Sequence, residues 1–111
     1  MARRSRPPIV TLTTDFGWQD YYVGAVKGII LQYAPEAVIV DITHDIPPQG
    51  VLQAAFILRQ IWPCYPEGTI HVAVVDPTVG TSRRILAARY ADRIALVPDN
   101  GLISLVHRHV R

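Results

Sequence analysis

Three short runs rich in β-branched and apolar residues recur along the chain, and the segments between them have helical spacing. The runs predicted as strands are residues 9–13, 37–42 and 69–75, and the predicted helices between them are residues 21–34 and 51–62. Strands that alternate with helices pair side by side through helical crossovers. The sequence therefore predicts an α/β domain with a mostly parallel sheet and helices on both faces.

The end of the chain follows a different pattern. Residues 85–90 and 93–97 are predicted as two strands joined by a tight turn at Ala91 and Asp92, and residues 102–110 as a helix. The sequence stops inside this helix without a Gly or Asn stop signal. We therefore expect the α/β domain to be incomplete, as in a fragment or a truncated chain.

Composition agrees with a packed domain, because half of the residues are hydrophobic and 18% are charged. The net charge of +2 is small. Three arginines near the start predict a flexible basic arm over residues 1–8, ahead of a domain over residues 9–111. No basic stripe continues into the domain, so no nucleic-acid partner is expected.

Cys64 is the only cysteine, which excludes a disulfide framework and favours a reducing compartment. No apolar run approaches the length of a membrane span, and no targeting segment is convincing. We therefore expect a cytoplasmic protein without a membrane partner.

The first predicted helix carries two positional signals. Asp20 is well placed to be its N-cap, which would account for this residue without a ligand. Gly24, Ala25 and Gly28 lie on one side of the helix, where small side chains would allow close approach to the sheet.

Three polar loops leave the carboxyl ends of the predicted strands, where ligands bind in open α/β sheets. Their sequences are TTDFGWQD, THDIPPQG and DPTVGTSRR. Because the carboxyl ends of parallel strands share one edge of the sheet, we expect the polar residues of these loops to converge on one crevice.

Asp15, in the first of these loops, has the chemistry to hold a ribose. Its carboxylate accepts two hydrogen bonds, and the 2′,3′-diol of a ribose offers two adjacent donors. The alternative is a structural role in an Asx-turn or a helix cap, for which Asp is equally suited.

Asp76 and Arg83 bracket the third loop and form a second candidate pair. A guanidinium that meets the carboxylate would keep it ionised and help to hold a water for nucleophilic attack. The alternative is a salt bridge that only pins the loop. Arg84 is adjacent and could take the place of Arg83.

Other ligand classes find little support. The sequence has neither the glycine pattern of a dinucleotide-binding turn nor that of a P-loop. His44 lies near Asp41 and Asp45, but no second His or Cys stands nearby at ligand spacing, so no metal is expected. His71, within a predicted strand, is interpreted as structural.

The remaining histidines and the aromatic residues leave alternatives open. His107 and His109 stand two apart, which places them on different faces of a helix. Trp18, Tyr21 and Tyr22 could supply a face for adenine, or they could be packing residues.

Five motifs in order resemble the N-terminal part of the S-adenosylmethionine (SAM) hydroxide adenosyltransferases, which are related to the adenosyl-fluoride and adenosyl-chloride synthases. The resemblance extends from Ile9 onward and is carried by TTDFG, DYYVG, VDITHDIPPQ, VVDPTVGTSRR and PDNGL. It implies that water or hydroxide displaces methionine from the 5′ carbon of SAM, giving adenosine and L-methionine. SAM is then the substrate, with neither a metal nor another cofactor.

The resemblance also implies roles for individual residues. Asp15 would hold the ribose diol, and Asp20 and Asn100 are further candidates for substrate binding. Asp76 and Arg83 would be two of three residues that handle the water. The third is a histidine later in the family's sequence, and it has no counterpart in this chain.

Hydroxide is favoured over halide because the halogenating relatives lack an acid at the position of Asp76. The fluoride enzyme also has an extra loop in the region of residues 87–96, which this chain lacks. Thr78 departs from the family, which more often has Gly there. Such enzymes have a second, β domain and are trimers with active sites between subunits, so a homotrimer is expected for the full-length protein.

Three alternatives remain open beside the hydrolase. The chain could be related to the halogenating enzymes, it could be an inactive truncated domain that binds adenosine, or it could be an unrelated α/β binding domain.

Overall fold

The structure, a computed structural model, describes residues 6–75 and 84–107. In this part of the chain five strands form one sheet in the order β2-β1-β3-β5-β4. Strands β1, β2, β3 and β5 run parallel, and β4 runs antiparallel to β5. The strands are β1 (Ile9–Thr14), β2 (Val38–Thr43), β3 (Ile70–Val74), β4 (Ile85–Tyr90) and β5 (Arg93–Pro98).

Three helices connect or follow the strands, and their bounds are α1 (Tyr22–Tyr33), α2 (Val51–Ile61) and α3 (Leu102–His107). A 3₁₀ turn at Trp62–Cys64 extends α2. Strands β2 and β3 flank β1 on opposite sides, so the two crossovers run in opposite directions. Right-handed crossovers then place α1 and α2 on opposite faces of the sheet. The predicted mostly parallel α/β architecture is confirmed.

The main core lies between the sheet and the pair formed by α2 and α3. Leu58 and Trp62 are buried here, and the Trp62 indole N–H donates to the carbonyl oxygen of Tyr90 at 3.0 Å. Residues of β3 and β5, and Val75 directly after β3, also belong to this core: Ala73, Val75, Ala95 and Val97. On the other face, Val23 is the one buried residue of α1. The two faces of the sheet are therefore covered unequally.

The small residues of α1 do not approach the sheet, so that prediction is wrong. Gly24, Ala25 and Gly28 are all exposed, and an added Cβ on either glycine would meet no heavy atom within 4 Å. The helix buries Val23 instead, because that apolar residue lies on the side opposite to the small ones.

The predicted N-cap role of Asp20 is also wrong. Helix α1 begins at Tyr22, its N-cap is Tyr21, and no side chain caps it. One carboxylate oxygen of Asp20 accepts the backbone N–H of Tyr21 at 2.8 Å. The helix starts one residue later than predicted, which removes Asp20 from the capping position.

The tight turn between β4 and β5 is confirmed. Ala91 and Asp92 have φ values of 48° and 61°, and two successive positive φ values are typical of the type I′ turn that joins antiparallel strands. No helix in the described part of the chain is long and apolar enough to cross a membrane.

Candidate active site

The loops after β1 and β2 meet at the carboxyl edge of the sheet, as predicted. The backbone N–H of Gly17 donates to the carbonyl oxygen of His44 at 2.7 Å, and the N–H of Ile46 donates to the carbonyl oxygen of Thr14 at 3.2 Å. These two bonds hold the TTDFGW and THDI segments together. The predicted convergence of these two loops is therefore present in the structure.

An open cleft of about 460 Å³ lies at this edge. Two carboxylic acids and three aromatic residues contribute to its walls, and Trp18 and Tyr22 are 56% and 47% exposed. A flat base could therefore stack on an aromatic face while acidic groups stand nearby. The residues that line the cleft are Phe16, Gly17, Trp18, Gln19, Asp20, Tyr22 and Asp45.

The aromatic residues divide between the cleft and its margin. Trp18 and Tyr22 line the cleft, whereas Tyr21 is outside the lining and contacts the ring of Tyr22 at a centroid distance of 4.8 Å. The ring of Trp18 meets the His44 ring edge-on at 4.6 Å. The orientation of Trp18 is thus coupled to the loop after β2.

Asp15 is half-buried at the end of β1, next to the Phe16 and Gly17 that line the cleft. Its backbone N–H donates to the carbonyl oxygen of Val74 at 3.4 Å. Asp15 therefore stands at the sheet edge, beside the end of β3. Its role in holding a ribose stays a prediction.

Four side chains form a polar network that contacts Trp18 of the cleft wall through His44 and Lys27, and sequence reasoning missed it. Lys27 Nζ donates to one oxygen of Asp41, whose other oxygen is 2.7 Å from Nε2 of His44. The Nδ1 atom of His44 is 2.7 Å from the hydroxyl of Thr14. A sequence signal for it is the carboxylate of Asp41 inside a largely apolar strand, since a partly buried charge requires partners.

The charges of this network are consistent with one another. Burial alone would raise the pKa of Asp41, but the hydrogen bonds from His44 and Lys27 and the charge of Lys27 outweigh it, so the pKa is lowered. An ionised Asp41 only accepts hydrogen bonds, so Nε2 of His44 carries a proton. When the imidazole is neutral, Nδ1 then accepts a hydrogen bond from the hydroxyl of Thr14.

The hydrogen bonds link Thr14, His44 and Asp41 in the same succession as in the catalytic triad of a hydrolase. Thr14 is 1% exposed, however, so a substrate cannot reach its hydroxyl. Both ring nitrogens of His44 are already engaged. Within residues 6–75 and 84–107, no three His, Cys, Asp or Glu residues are grouped so that they could hold a metal ion.

Asp76 and Arg83, the predicted water-handling pair, lie outside the described residues. The residues that flank this segment are both tied to the turn after β5. The carbonyl oxygen of Val75 accepts the amide of Asn100 at 2.8 Å. The carbonyl oxygen of Arg84 accepts the backbone N–H of Asp99, also at 2.8 Å.

The guanidinium of Arg84, the alternative to Arg83, is paired with Asp99 at 3.2 Å, and its side chain is 82% exposed. Asn100 also has structural partners, because its Oδ1 accepts the backbone N–H of Leu102 at 3.2 Å, at the start of α3. A contact between Asn100 and a substrate stays a prediction.

His71 lies away from the cleft, in the first half of β3. It is fully buried between Trp62 and Tyr65, at centroid distances of 4.8 and 5.6 Å, and its Nδ1 is 2.7 Å from the hydroxyl of Thr11. The His107 ring packs on Tyr90 at 4.6 Å. His109 lies outside the described residues.

The fold and this edge define an α/β domain with a partly acidic cleft lined by aromatic residues. Residues 10–111 match the family described as SAM hydroxide adenosyltransferase N-terminal domain. The chain is 45% identical over 103 residues to a protein of Methanocaldococcus jannaschii named (R)-S-adenosyl-L-methionine hydrolase. The chain therefore belongs to the SAM hydroxide adenosyltransferase family.

More distant relatives and a solved structure agree with this membership. A fluorinase of Nocardia brasiliensis is 35% identical over 86 residues, which are 78% of this chain and 29% of that protein. A crystal structure of an uncharacterized conserved protein from Thermotoga maritima superposes with a TM-score of 0.82 at 37% identity. That match covers 92% of this chain and 39% of the other. The match to the M. jannaschii hydrolase covers 88% of this chain and 39% of that protein.

Proposed function

We propose that this domain is part of an enzyme that hydrolyses SAM at C5′, producing adenosine and L-methionine. The observation that carries the proposal is the aromatic-lined, partly acidic cleft at the carboxyl edge of a sheet whose sequence is that of the hydroxide adenosyltransferase family. The name of the M. jannaschii relative specifies the R epimer of SAM, so we propose the same epimer as substrate.

The proposed chemistry requires positioning more than bond activation. An oxygen lone pair of water forms the O–C5′ bond while the C5′–S bond breaks and its electrons return to sulfur. The sulfonium leaves as the neutral thioether of methionine, and the proton of the water passes to a base. Holding water in line with the C–S bond supplies most of what catalysis needs here.

Binding is assigned to the loops after β1 and β2. In the proposal, the carboxylate of Asp15 accepts hydrogen bonds from both hydroxyls of the ribose, and the exposed faces of Trp18 and Tyr22 stack on adenine. Asp20 and Asp45 line the same cleft. Their negative charge would attract SAM, whose sulfonium and ammonium groups are cationic, more strongly than neutral adenosine.

Water handling is assigned to Asp76 and Arg83, which follow β3 in the sequence. The register pairs Thr14 of β1 with Val74 of β3, so the chain leaves both strands side by side, about 5 Å apart. A ribose held by Asp15 would therefore have its 5′ carbon within reach of groups that follow β3. This adjacency supports a ribose-binding acid and a water-activating acid acting on one substrate.

Water is proposed as the nucleophile in preference to halide. A carboxylate at the reaction centre stabilises a water by accepting its proton but repels an anion. The lower identity to the fluorinase than to the hydrolase agrees with this choice. We also propose a homotrimer located in the cytoplasm, and sedimentation of the purified protein would test the trimer.

Isotope labelling tests the reaction directly. The protein produced from the complete gene is incubated with each SAM epimer in H₂¹⁸O, and the products are analysed by mass spectrometry. The expected result is adenosine with ¹⁸O at its 5′ hydroxyl and unlabelled L-methionine. Homoserine with methylthioadenosine, or 5′-chloroadenosine formed faster than adenosine in chloride buffer, would contradict the proposal.

Two substitutions test the residue roles. Asp76→Ala and Arg83→Ala should each lower turnover by about 10²-fold or more, as expected for a base and its partner. Glu67 and Arg89 are exposed and have the same charges as Asp76 and Arg83, respectively, so Glu67→Ala and Arg89→Ala are the matched controls. Full activity in both site variants would refute the assignment. The same assay on the 111-residue chain distinguishes an active enzyme from a domain that only binds adenosine.

A further inference from the structure

The polar network of Lys27, Asp41, His44 and Thr14 holds the chain on both sides of Asp15. We infer that His44 and Thr14 are positioning residues for Asp15, which set the affinity of the site for a ribose diol. The inference rests on the proposed function, because it takes Asp15 to be the diol acceptor.

With a neutral His44, each hydrogen bond of the network joins a donor to an acceptor. Lys27 and His44 donate to Asp41, which as a carboxylate can only accept. The hydroxyl of Thr14 donates to His44 Nδ1 and accepts the backbone N–H of Phe16 at 3.2 Å. The chain of hydrogen bonds that begins at Asp41 thus reaches the backbone of the loop after β1.

His44 holds that loop at two points on either side of Asp15. Its side chain fixes Thr14, the residue before Asp15, and through Thr14 the amide of Phe16, the residue after it. Its carbonyl oxygen accepts the N–H of Gly17 at 2.7 Å. Gly17 has a φ of 73°, a conformation that most other residues adopt at a cost. The turn that carries Asp15 is therefore set by contacts from the loop after β2.

Burial makes these contacts matter. Thr14 and His44 are each 1% exposed, so water cannot replace a lost hydrogen bond there without rearrangement. Removing the Thr14 hydroxyl would leave both His44 Nδ1 and the Phe16 amide without their partner. The turn would then relax, and the Asp15 carboxylate would bind the diol less well. Trp18 and Tyr22 keep ring contacts of their own, with His44 and Phe16, so stacking on adenine should change less than diol binding.

Neighbouring threonines allow a matched experiment. Thr13 and Thr14 are adjacent in β1, and both are buried, but the hydroxyl of Thr13 has no hydrogen-bond partner among the described residues. Thr13→Val and Thr14→Val are the same chemical change with opposite hydrogen-bonding status. Thr14→Ser keeps the hydroxyl and is the conservative rescue.

Titration calorimetry on the protein from the complete gene, with adenosine and 2′,3′-dideoxyadenosine as ligands, provides the readout. The unsubstituted protein should prefer adenosine by roughly 10- to 100-fold, as expected for hydrogen bonds to a charged acceptor. In Thr14→Val the preference for adenosine should be at least about tenfold smaller, with little change in the affinity for the dideoxy ligand. Thr13→Val and Thr14→Ser should keep the preference.

The possible outcomes separate the inference from the proposed function. A full preference for adenosine in Thr14→Val would overturn the inference and leave the proposed function intact. So would equal loss of both nucleosides in Thr14→Val with Thr13→Val unaffected, since that is a general structural defect. No preference in the unsubstituted protein would reject Asp15 as the diol acceptor, and the inference with it.

Steady-state kinetics give a second readout. Binding of the diol is made in the ground state and kept in the transition state, so its loss raises KM more than it lowers kcat. Thr14→Val should therefore raise KM for SAM by about tenfold, with kcat changed less than KM. A fall in kcat at unchanged KM would contradict a positioning role for the ribose.

Discussion

The buried histidine of β3 makes the stability of this domain depend on pH. His71 is fully buried, and its Nε2 atom has no hydrogen-bond partner in the part of the chain that the structure describes. Burial lowers the pKa of His71 from 6.5 to about 4, and the positive charge of Arg93 acts in the same direction. The folded protein therefore keeps this imidazole neutral at a pH where the unfolded chain protonates it.

The sign and size of the effect follow from proton linkage. Between pH 6.5 and about 4 the unfolded chain binds a proton that the folded chain does not, so the free energy of unfolding falls as the pH falls. The full effect is about 3 kcal/mol at 1.36 kcal/mol for each unit of pKa difference. About 2 kcal/mol of it is lost between pH 7 and pH 5.

Urea unfolding at pH 7 and pH 5 measures this loss, with tryptophan fluorescence as the signal because Trp62 packs against His71. His71→Gln does not titrate, so its free energy of unfolding should be lower at pH 7 but nearly the same at both pH values. His107→Gln, at an exposed histidine, is the control and should behave like the unsubstituted protein. Equal pH dependence in His71→Gln and the unsubstituted protein would refute the role of His71.

Two further substitutions test the packing and the polar network. Gly24→Ala should raise the free energy of unfolding by roughly 0.5–1 kcal/mol, because Gly24 is helical and an added Cβ meets nothing within 4 Å. A lower urea midpoint for this variant would show that another surface covers this side of α1. Lys27→Met should cost about 1 kcal/mol at pH 7. The lowered pKa of Asp41 stabilises the fold above pH 3.8, and this contribution is lost as the pH falls further. The cost of Lys27→Met, measured by urea unfolding, should therefore shrink in acid. A cost independent of pH would contradict the ion pair.

Much of the fold could be predicted because each element has a local signal. The alternation of apolar runs predicted both ends of β1, β2 and β3 to within one residue, and the turn at Ala91 and Asp92 followed from its position between two strands. The strand order was not predicted, since it depends on contacts between residues distant in sequence. The capping role of Asp20 failed because a shift of one residue in a helix start, which local propensity does not determine, is enough to change the cap.

The site was predictable only in part. Sheet topology alone predicted that the loops after β1 and β2 would meet, and they do. The link between Thr14 and His44 joins residues thirty apart in the sequence, and no spacing rule indicates it. Proximity in sequence groups His44 with Asp41 as candidate metal ligands, whereas in the structure Asp41 is the hydrogen-bond acceptor of His44.

The two parts of the proposed site are held by different contacts. The loop with Asp15 depends on Thr14 and His44, whereas the residues that flank 76–83 are tied to Asp99 and Asn100. Within residues 6–75 and 84–107, these two sets of contacts use different side chains, while β1 and β3 pair up to Thr14 and Val74 and the N–H of Asp15 donates to the carbonyl oxygen of Val74. Neighbouring sites often couple, but separate supporting contacts predict that substitutions which weaken diol binding add, in free energy, to substitutions which weaken water handling. Thr14→Val combined with Asp76→Ala tests this, because coupling above about 0.5 kcal/mol would mean that the two parts of the site move together.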